Sequence, residues 1–349
     1  METYLKNLIT TAAVLGSATG IGYNTYENAR ERKEREGVVQ KLSRDLEDEH
    51  GRVGQLLTDL GEKVTMDDLR EAIDMIKSAA VMVEGPAGSG SGWITQDNLG
   101  RLIIVTNGHM TEENEFRRGL DPHDFRDSVY HIKMYNGDDF AKPVEFDAAP
   151  VVLGNGKRAH SFSDKHDIAI LRLPPEIEKG ILEGKIKVTP VTMADTTKNP
   201  IRVGDPVVAV GNPFRERDSV SHGIVSHTQR WARLEPENVF IQTNAPLNPG
   251  NSGCEVARVR KANGKVVPEI IGMHTWGYRG GDGVGGAILV NVIKLQLEDC
   301  GFSVTTPEEL VAYKKWWKEV VEPALKQKNE DLQKQGEDIP PSVSPEDDD

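Results

Sequence analysis

Short apolar runs dominate the middle of the chain. AAVMVEG, SGWIT, RLIIVT, VYHIKMY, DIAILRL, DPVVAVG, HGIVSH, VFIQT, EIIGMHT and GAILVNV are rich in β-branched residues and are separated by clusters of Gly, Pro, Asn and Asp. β-Branched side chains suit a pleated surface, and the separating residues supply turns. Ten such runs from Ala79 onward predict an antiparallel barrel or sandwich. PPEIEKGILEGKIKVTP, Pro174 to Pro190, interrupts the series near its middle, as a linker between two β halves would.

The flanks follow a helical period. Leu42, Leu46, Val53, Leu57 and Leu60 form a partial apolar stripe broken at Gly51, Gly54 and Gly61, a surface-packed extension or a short oligomerising stalk. TMDDLREAIDMIKSA reads as a well-started helix, with Thr65 as N-cap and Asp67 and Asp68 in the first turn, where the helix dipole favours them. Beyond Cys300, Thr306, Pro307 and Glu309 supply cap, first-turn proline and capping-box glutamate for LVAYKKWWKEVV. Adjacent tryptophans on a helix diverge, so one of Trp316 and Trp317 is expected to pack on the β body. Leu8 to Tyr23 is uncharged and fairly apolar but shorter than the roughly 20 residues that cross a bilayer. It is a candidate export signal or membrane anchor, with a packed helix as the alternative.

Composition narrows the functional classes. The formal charge of −13 argues against a nucleic-acid partner, although it is concentrated: from Asn329 to Asp349 eight acidic residues face Lys334 alone. Cys254 and Cys300 form neither a zinc motif nor a disulfide framework. The nine histidines show no HExxH spacing, no GxxxxGK[ST] loop is present, and GGDGVGG lacks the helix that a phosphate cradle needs. Neither a metal nor a cofactor is expected.

Three side chains at the ends of β runs suggest chemistry. Serine attacks a carbonyl at neutral pH when an imidazole takes its proton, a carboxylate orients the imidazole and backbone N–H groups meet the oxyanion. His109 follows RLIIVT in TNGHM, Asp167 opens DIAILRL, and Ser252 lies in NPGNSGCEV, where Gly250 can turn its own N–H and that of Ser252 toward one point. Each alone has a plainer reading as a turn or surface residue. Their joint order and shared context at strand ends make a triad the stronger reading. His166, beside Asp167, is expected on the opposite, exposed face of a strand.

GSGSGWI, LIIVTNGHM, HDIAILRL, VGDPVVAVGNPF, SHGIVS, FIQTNAPLNPGNSG and IIGMHT, in that order, resemble the protease domain of the high-temperature-requirement (HtrA-type) trypsin-like serine proteases, roughly from Ala79 to Gly301. The resemblance implies a mainly β fold, a chymotrypsin-like double β-barrel with N- and C-terminal helical extensions and the site between the halves. His109 would be the general base, Asp167 its orienting partner and Ser252 the nucleophile. The N–H groups of Gly250 and Ser252 would form the oxyanion hole. It also implies a serine endopeptidase acting on polypeptides through an acyl-enzyme; a catalytically silent, peptide-binding module of the same fold is the alternative. The family often forms homo-oligomers and carries a PDZ domain, for which too few residues follow Gly301. Between His109 and Asp167 the stretch TEENEFRRGLDPHDFRD reads as an inserted loop, and Asn251 replaces the aspartate that pairs with a freed N-terminus in digestive relatives.

The specificity pocket is expected to include Leu247, His274, Thr275 and Gly286. GMHT stands where the family resembles GINT, which goes with small aliphatic residues before the scissile bond. Histidine there is similar to the glutamyl endopeptidases, so His274 could instead meet a substrate carboxylate. Gly285 and Gly286 leave the pocket open, and Cys254 is expected to be a small buried thiol. The organisation expected is a signal or anchor over 1–24 and a helical extension over 25–77. A trypsin-like domain over 78–303 follows, with barrels about 78–173 and 190–303. A C-terminal helix over 304–333 and an acidic disordered tail over 334–349 complete the chain. Export or membrane association through residues 8–23 follows from the first of these segments.

Overall fold

Thr65 caps the first helix of the main body in a full capping box. Its hydroxyl accepts from the Asp68 N–H while the Asp68 carboxylate accepts from the Thr65 N–H, satisfying two donors that a helix start would otherwise leave bare. This helix, α1 (Met66–Ala79), runs directly into strand β1 at Ala80, so no loop separates helix from sheet. The computed structural model describes residues 36–38, 40–41, 43–44, 64–85, 88–110, 129–134, 142–151, 166–230, 239–246, 248–262, 264–277 and 284–334. Those up to residue 44 are helical and belong to a separate unit, Met1–Gly61; the rest belong to Glu62–Asp349. Residues 8–23, the loop after Thr111, Leu247 and the acidic tail from 335 lie outside the described residues.

Six strands close the first barrel in the order β1-β2-β3-β6-β5-β4: β1 (Ala80–Gly85), β2 (Gly88–Gln96), β3 (Leu102–Thr106), β4 (Tyr130–Met134), β5 (Val144–Pro150) and β6 (Ala169–Arg172). A short helix, α2 (Pro175–Leu182), then occupies the stretch that interrupts the β runs. The second barrel contains β8 (Pro206–Gly211), β9 (Ser219–Arg230), β10 (Phe240–Thr243), β11 (Glu255–Ala262), β12 (Lys265–Gly277) and β13 (Gly285–Leu289), ordered β11-β8-β9-β10-β13-β12 and closed by the β11–β12 pairing. A two-residue strand, β7 (Thr192–Met193), adds to β12 in parallel from outside the ring. Each barrel is thus two three-stranded meanders joined twice, and the order of the second repeats that of the first.

Burial explains why RLIIVT reads as a continuous apolar run. Ile104 of β3 points into the first barrel with Val81, Val83, Ile94, Tyr130, Ile132 and Leu171, whereas Ile103 and Val105 join Trp93, Ile168 and Ile170 on the other face. That second face shares one core with the second barrel and with Ile76 of α1. Each fully buried Ile or Val contributes about 1.5–3 kcal/mol, so the seam between the barrels is itself a core.

Three helices follow β13: α3 (Val290–Asp299), α4 (Pro307–Trp316) and α5 (Glu322–Lys334), with a π-helical turn, Trp317–Val321, between the last two. GAILVNV therefore divides, its first part strand and its end the start of α3. Thr306 and Glu309 form the expected capping box. The expectation that one tryptophan would pack is corrected, because Trp316 and Trp317 both lie half-buried against the core. Among the described residues no helix is long and apolar enough to cross a membrane.

Candidate active site

The register of one strand pair brings the candidate base to the candidate acid. β3 and β6 are antiparallel with Thr106 opposite Ala169, so His109, three residues past Thr106, and Asp167, two before Ala169, leave the sheet on the same side. The Asp167 carboxylate accepts from the His109 backbone N–H at 2.8 Å and from His109 Nδ1 at 2.9 Å. Because a carboxylate only accepts, Nδ1 carries the proton, and in the neutral imidazole Nε2 is then the acceptor. The Asn107 side-chain amide donates to the Asp167 carbonyl at 2.9 Å and fixes its backbone.

A third residue reaches Asp167, from the other barrel. The Thr275 hydroxyl on β12 donates to Asp167 Oδ2, and both residues are buried. Thr275, expected in the specificity pocket, thus spends its polar group on the carboxylate. Nothing in the run IIGMHT marked it for that role, since the contact links positions 108 residues apart.

Ser252 sits half-buried in the turn before β11, held on both sides. The Gly253 N–H donates to the His274 carbonyl and the His274 N–H to the Cys254 carbonyl, both at 2.9 Å, which seats the turn on β12. From the first barrel, the Ser91 N–H donates to the Ser252 carbonyl at 2.8 Å, and the Ser91 hydroxyl donates to the Gly250 carbonyl at 2.8 Å while accepting from the Asn212 N–H at 2.9 Å. Ser91 was not singled out within GSGSGWI, since its partners stand 159 and 121 positions away. Gly250 has φ +96°, and a Cβ there would come within 2.6 Å of the Asn212 carbonyl oxygen. Among the described residues, neither the Gly250 nor the Ser252 N–H has an acceptor.

Behind this turn the chain is fully buried. Cys254 is a fully buried free thiol, and burial pushes its pKa up. Glu255 is also fully buried. The N–H groups of Val210 and of Glu255 itself approach its carboxylate without completing a hydrogen bond, and burial, with Asp218 nearby, raises its pKa well above the usual carboxylate range.

The specificity residues are arranged differently from expectation. His274 is buried, neither ring nitrogen completes a hydrogen bond among the described residues, and burial pushes its pKa down to about 3. That shift favours the neutral imidazole and weakens the charge assistance on which carboxylate recognition would rest. Gly286 is covered rather than open: the Trp276 indole lies where a Cβ would stand, and packs edge-to-face on Phe240 at 5.7 Å. His166 is not on a strand; it sits in a bend, half-buried against Trp317.

A family model described as a trypsin-like peptidase domain matches residues 90–267. The periplasmic pH-dependent serine endoprotease DegQ of Escherichia coli is 37% identical over 189 residues, 54% of this chain and 31% of its own. The periplasmic serine endoprotease DegP of the same organism is 32% identical over 210 residues, 59% and 34% of the two chains. The chain therefore spans about a third of the length of these curated relatives. A solved serine endoprotease from Yersinia pestis aligns with TM-score 0.45 and 22% identity, covering 68% of each chain. With its two closed barrels and a model match across more than half its length, the chain belongs to the trypsin-like peptidase domain family.

Proposed function

We propose that the protein is a serine endopeptidase of the HtrA type that cleaves polypeptides through an acyl-enzyme. The observation that carries this reading is the meeting at Asp167, where His109 of one barrel and Thr275 of the other hold a single carboxylate, beside a turn whose Gly250 and Ser252 N–H groups have no acceptor among the described residues. In the proposed cycle Ser252 Oγ bonds to the peptide carbonyl carbon and its proton passes to His109 Nε2. The oxyanion is met by these two N–H groups, and the C–N bond breaks as His109 returns the proton to the leaving amine. Water then repeats the sequence and releases the acid. Asp167 keeps the imidazole in the tautomer that can accept.

For the residue before the scissile bond, the neutral His274 and the indole over Gly286 favour a small apolar side chain over a carboxylate. A fluorophosphonate probe tests the first claim: the protein should be labelled and its Ser252→Ala variant not. If neither is labelled, the chain is a silent module that binds peptides in the same cleft. Profiling cuts in a peptide library tests the second, and cleavage after Glu or Asp that disappears in His274→Asn would reverse it.

A further inference from the structure

The C-terminal helices are bolted to the second barrel before they reach the first. Buried Glu309 of α4 accepts from Lys294 of α3 and from the Tyr313 hydroxyl, the latter at 2.7 Å. The Tyr313 oxygen in turn accepts from the Thr196 N–H at 3.2 Å, and the Thr196 hydroxyl donates to Asn291 Oδ1 at 2.8 Å. From this fixed base the helix widens into the π turn at Trp317. Successive side chains on an α-helix diverge by about 100°, yet the indoles of Trp316 and Trp317 meet edge to face at 6.2 Å. Trp317 then meets the His166 imidazole edge to face at 5.1 Å with the rings 86° apart. π turns of this kind recur at functional sites. His166 is the residue immediately before Asp167, and its carbonyl accepts from the Ile168 N–H, closing a tight bend around the acid.

We propose that Trp317 is a positioning residue for Asp167, acting through His166, and that the C-terminal segment is a strap that ties the second barrel to the entry of the acid. The inference rests on the endopeptidase reading for its effect on turnover, though not for its geometry. Asn107 holds Asp167 from the carbonyl side, and His109 and Thr275 hold its carboxylate. On the N-terminal side His166 packs against Trp317. Without the indole the bend can open, the carboxylate shifts, and His109 loses the alignment on which proton transfer depends. A misplacement of about 1 Å costs about 100-fold in rate even when its origin is remote.

The test compares Trp317→Ala, Trp317→Phe and the unaltered protein, with three readouts: kcat and KM on a peptide substrate, the low-field proton resonance of the His109 Nδ1–H bound to Asp167, and thermal melting. Trp317→Ala should lower kcat about 10- to 100-fold with KM within about twofold, because no peptide contact is touched. It should also broaden or abolish the resonance, and Trp317→Phe should restore both. Unchanged kcat and resonance in Trp317→Ala overturn the proposal while leaving the endopeptidase intact. If the unaltered protein neither cleaves nor takes the fluorophosphonate, the endopeptidase reading falls, and the resonance alone still decides the strap. Should Trp317→Ala fail to melt cooperatively, His166→Ala replaces it, since it leaves the indole in the core; normal kcat and resonance there equally overturn the proposal.

Discussion

Replacing Thr275 by valine removes one hydroxyl and leaves the shape of the side chain nearly intact. That hydroxyl donates to Asp167 in a setting where Asp167 is 3% and Thr275 6% exposed, so water cannot replace it. A hydrogen bond to a charged acceptor contributes about 1.5–3 kcal/mol, and the desolvated position argues for the upper part of that range. His109 still donates twice to the carboxylate and Asn107 still holds its carbonyl, so the site should loosen rather than collapse. Expressed in the transition state, the loss corresponds to about a 10- to 150-fold fall in kcat. Expressed in the folded state, it lowers the melting temperature by about 3–12 °C. Steady-state kinetics on a peptide separates the two roles open to this residue. If Thr275 serves Asp167, kcat falls while KM holds, and Thr275→Ser recovers most of the loss. A rise in KM with kcat untouched would place the side chain in the substrate pocket and refute the reasoning.

Three further outcomes follow from the same physics. Glu255→Gln should flatten the pH dependence of stability: the folded carboxyl has a pKa above its ordinary 4.5, so its stabilising contribution is complete below that value and is lost as pH rises through the folded pKa. Melting curves at acidic and neutral pH should show the variant gaining at neutral pH relative to the parent; an equal slope for both would contradict the buried, unpaired state. Gly253→Ala places a methyl against the Ser91 carbonyl and within 3.1 Å of the Asn107 N–H at φ +85°, so about 1–3 kcal/mol of backbone strain adds to a clash. Fluorophosphonate labelling should be lost even where circular dichroism shows a folded protein. Lys294→Met leaves Glu309 buried without its cation, which should cost about 3–5 kcal/mol in denaturant unfolding.

The strands of uniform burial were plainest in the sequence, and two whose charged residues find partners elsewhere were missed. LIIVT and PVVAVG are legible because both faces are buried. EVARVRKA, which became β11, was missed: Arg258, buried in the fold, is neutralised by Asp205 and Glu269 from elsewhere in the chain, a pairing invisible in a local window. VEFDAAP, now β5, was hidden by its proline and alternating acids. For the candidate site, strand-end context pointed to His109, Asp167 and Ser252. The residues that hold them depend on contacts distant in sequence, Ser91 and Thr275 across the barrels and Asn107 within the first, with no local signature. The pocket was read as open from Gly285 and Gly286, and what sequence could not convey was that the Trp276 ring would fill the space Gly286 leaves.

The repeated strand order has a consequence in time. Within each barrel the two meanders are local and can form early, whereas the joins between them, Thr106 against Ala169 and Thr243 against Gly285 among them, close long loops and come late. His109 and Asp167 hang from the first of those joins, and the seat of Ser252 requires β11 and β12 in register with a strand of the other barrel already alongside. A nascent chain therefore passes through most of its folding with its reactive groups scattered, and acquires an assembled site only as the last loops close.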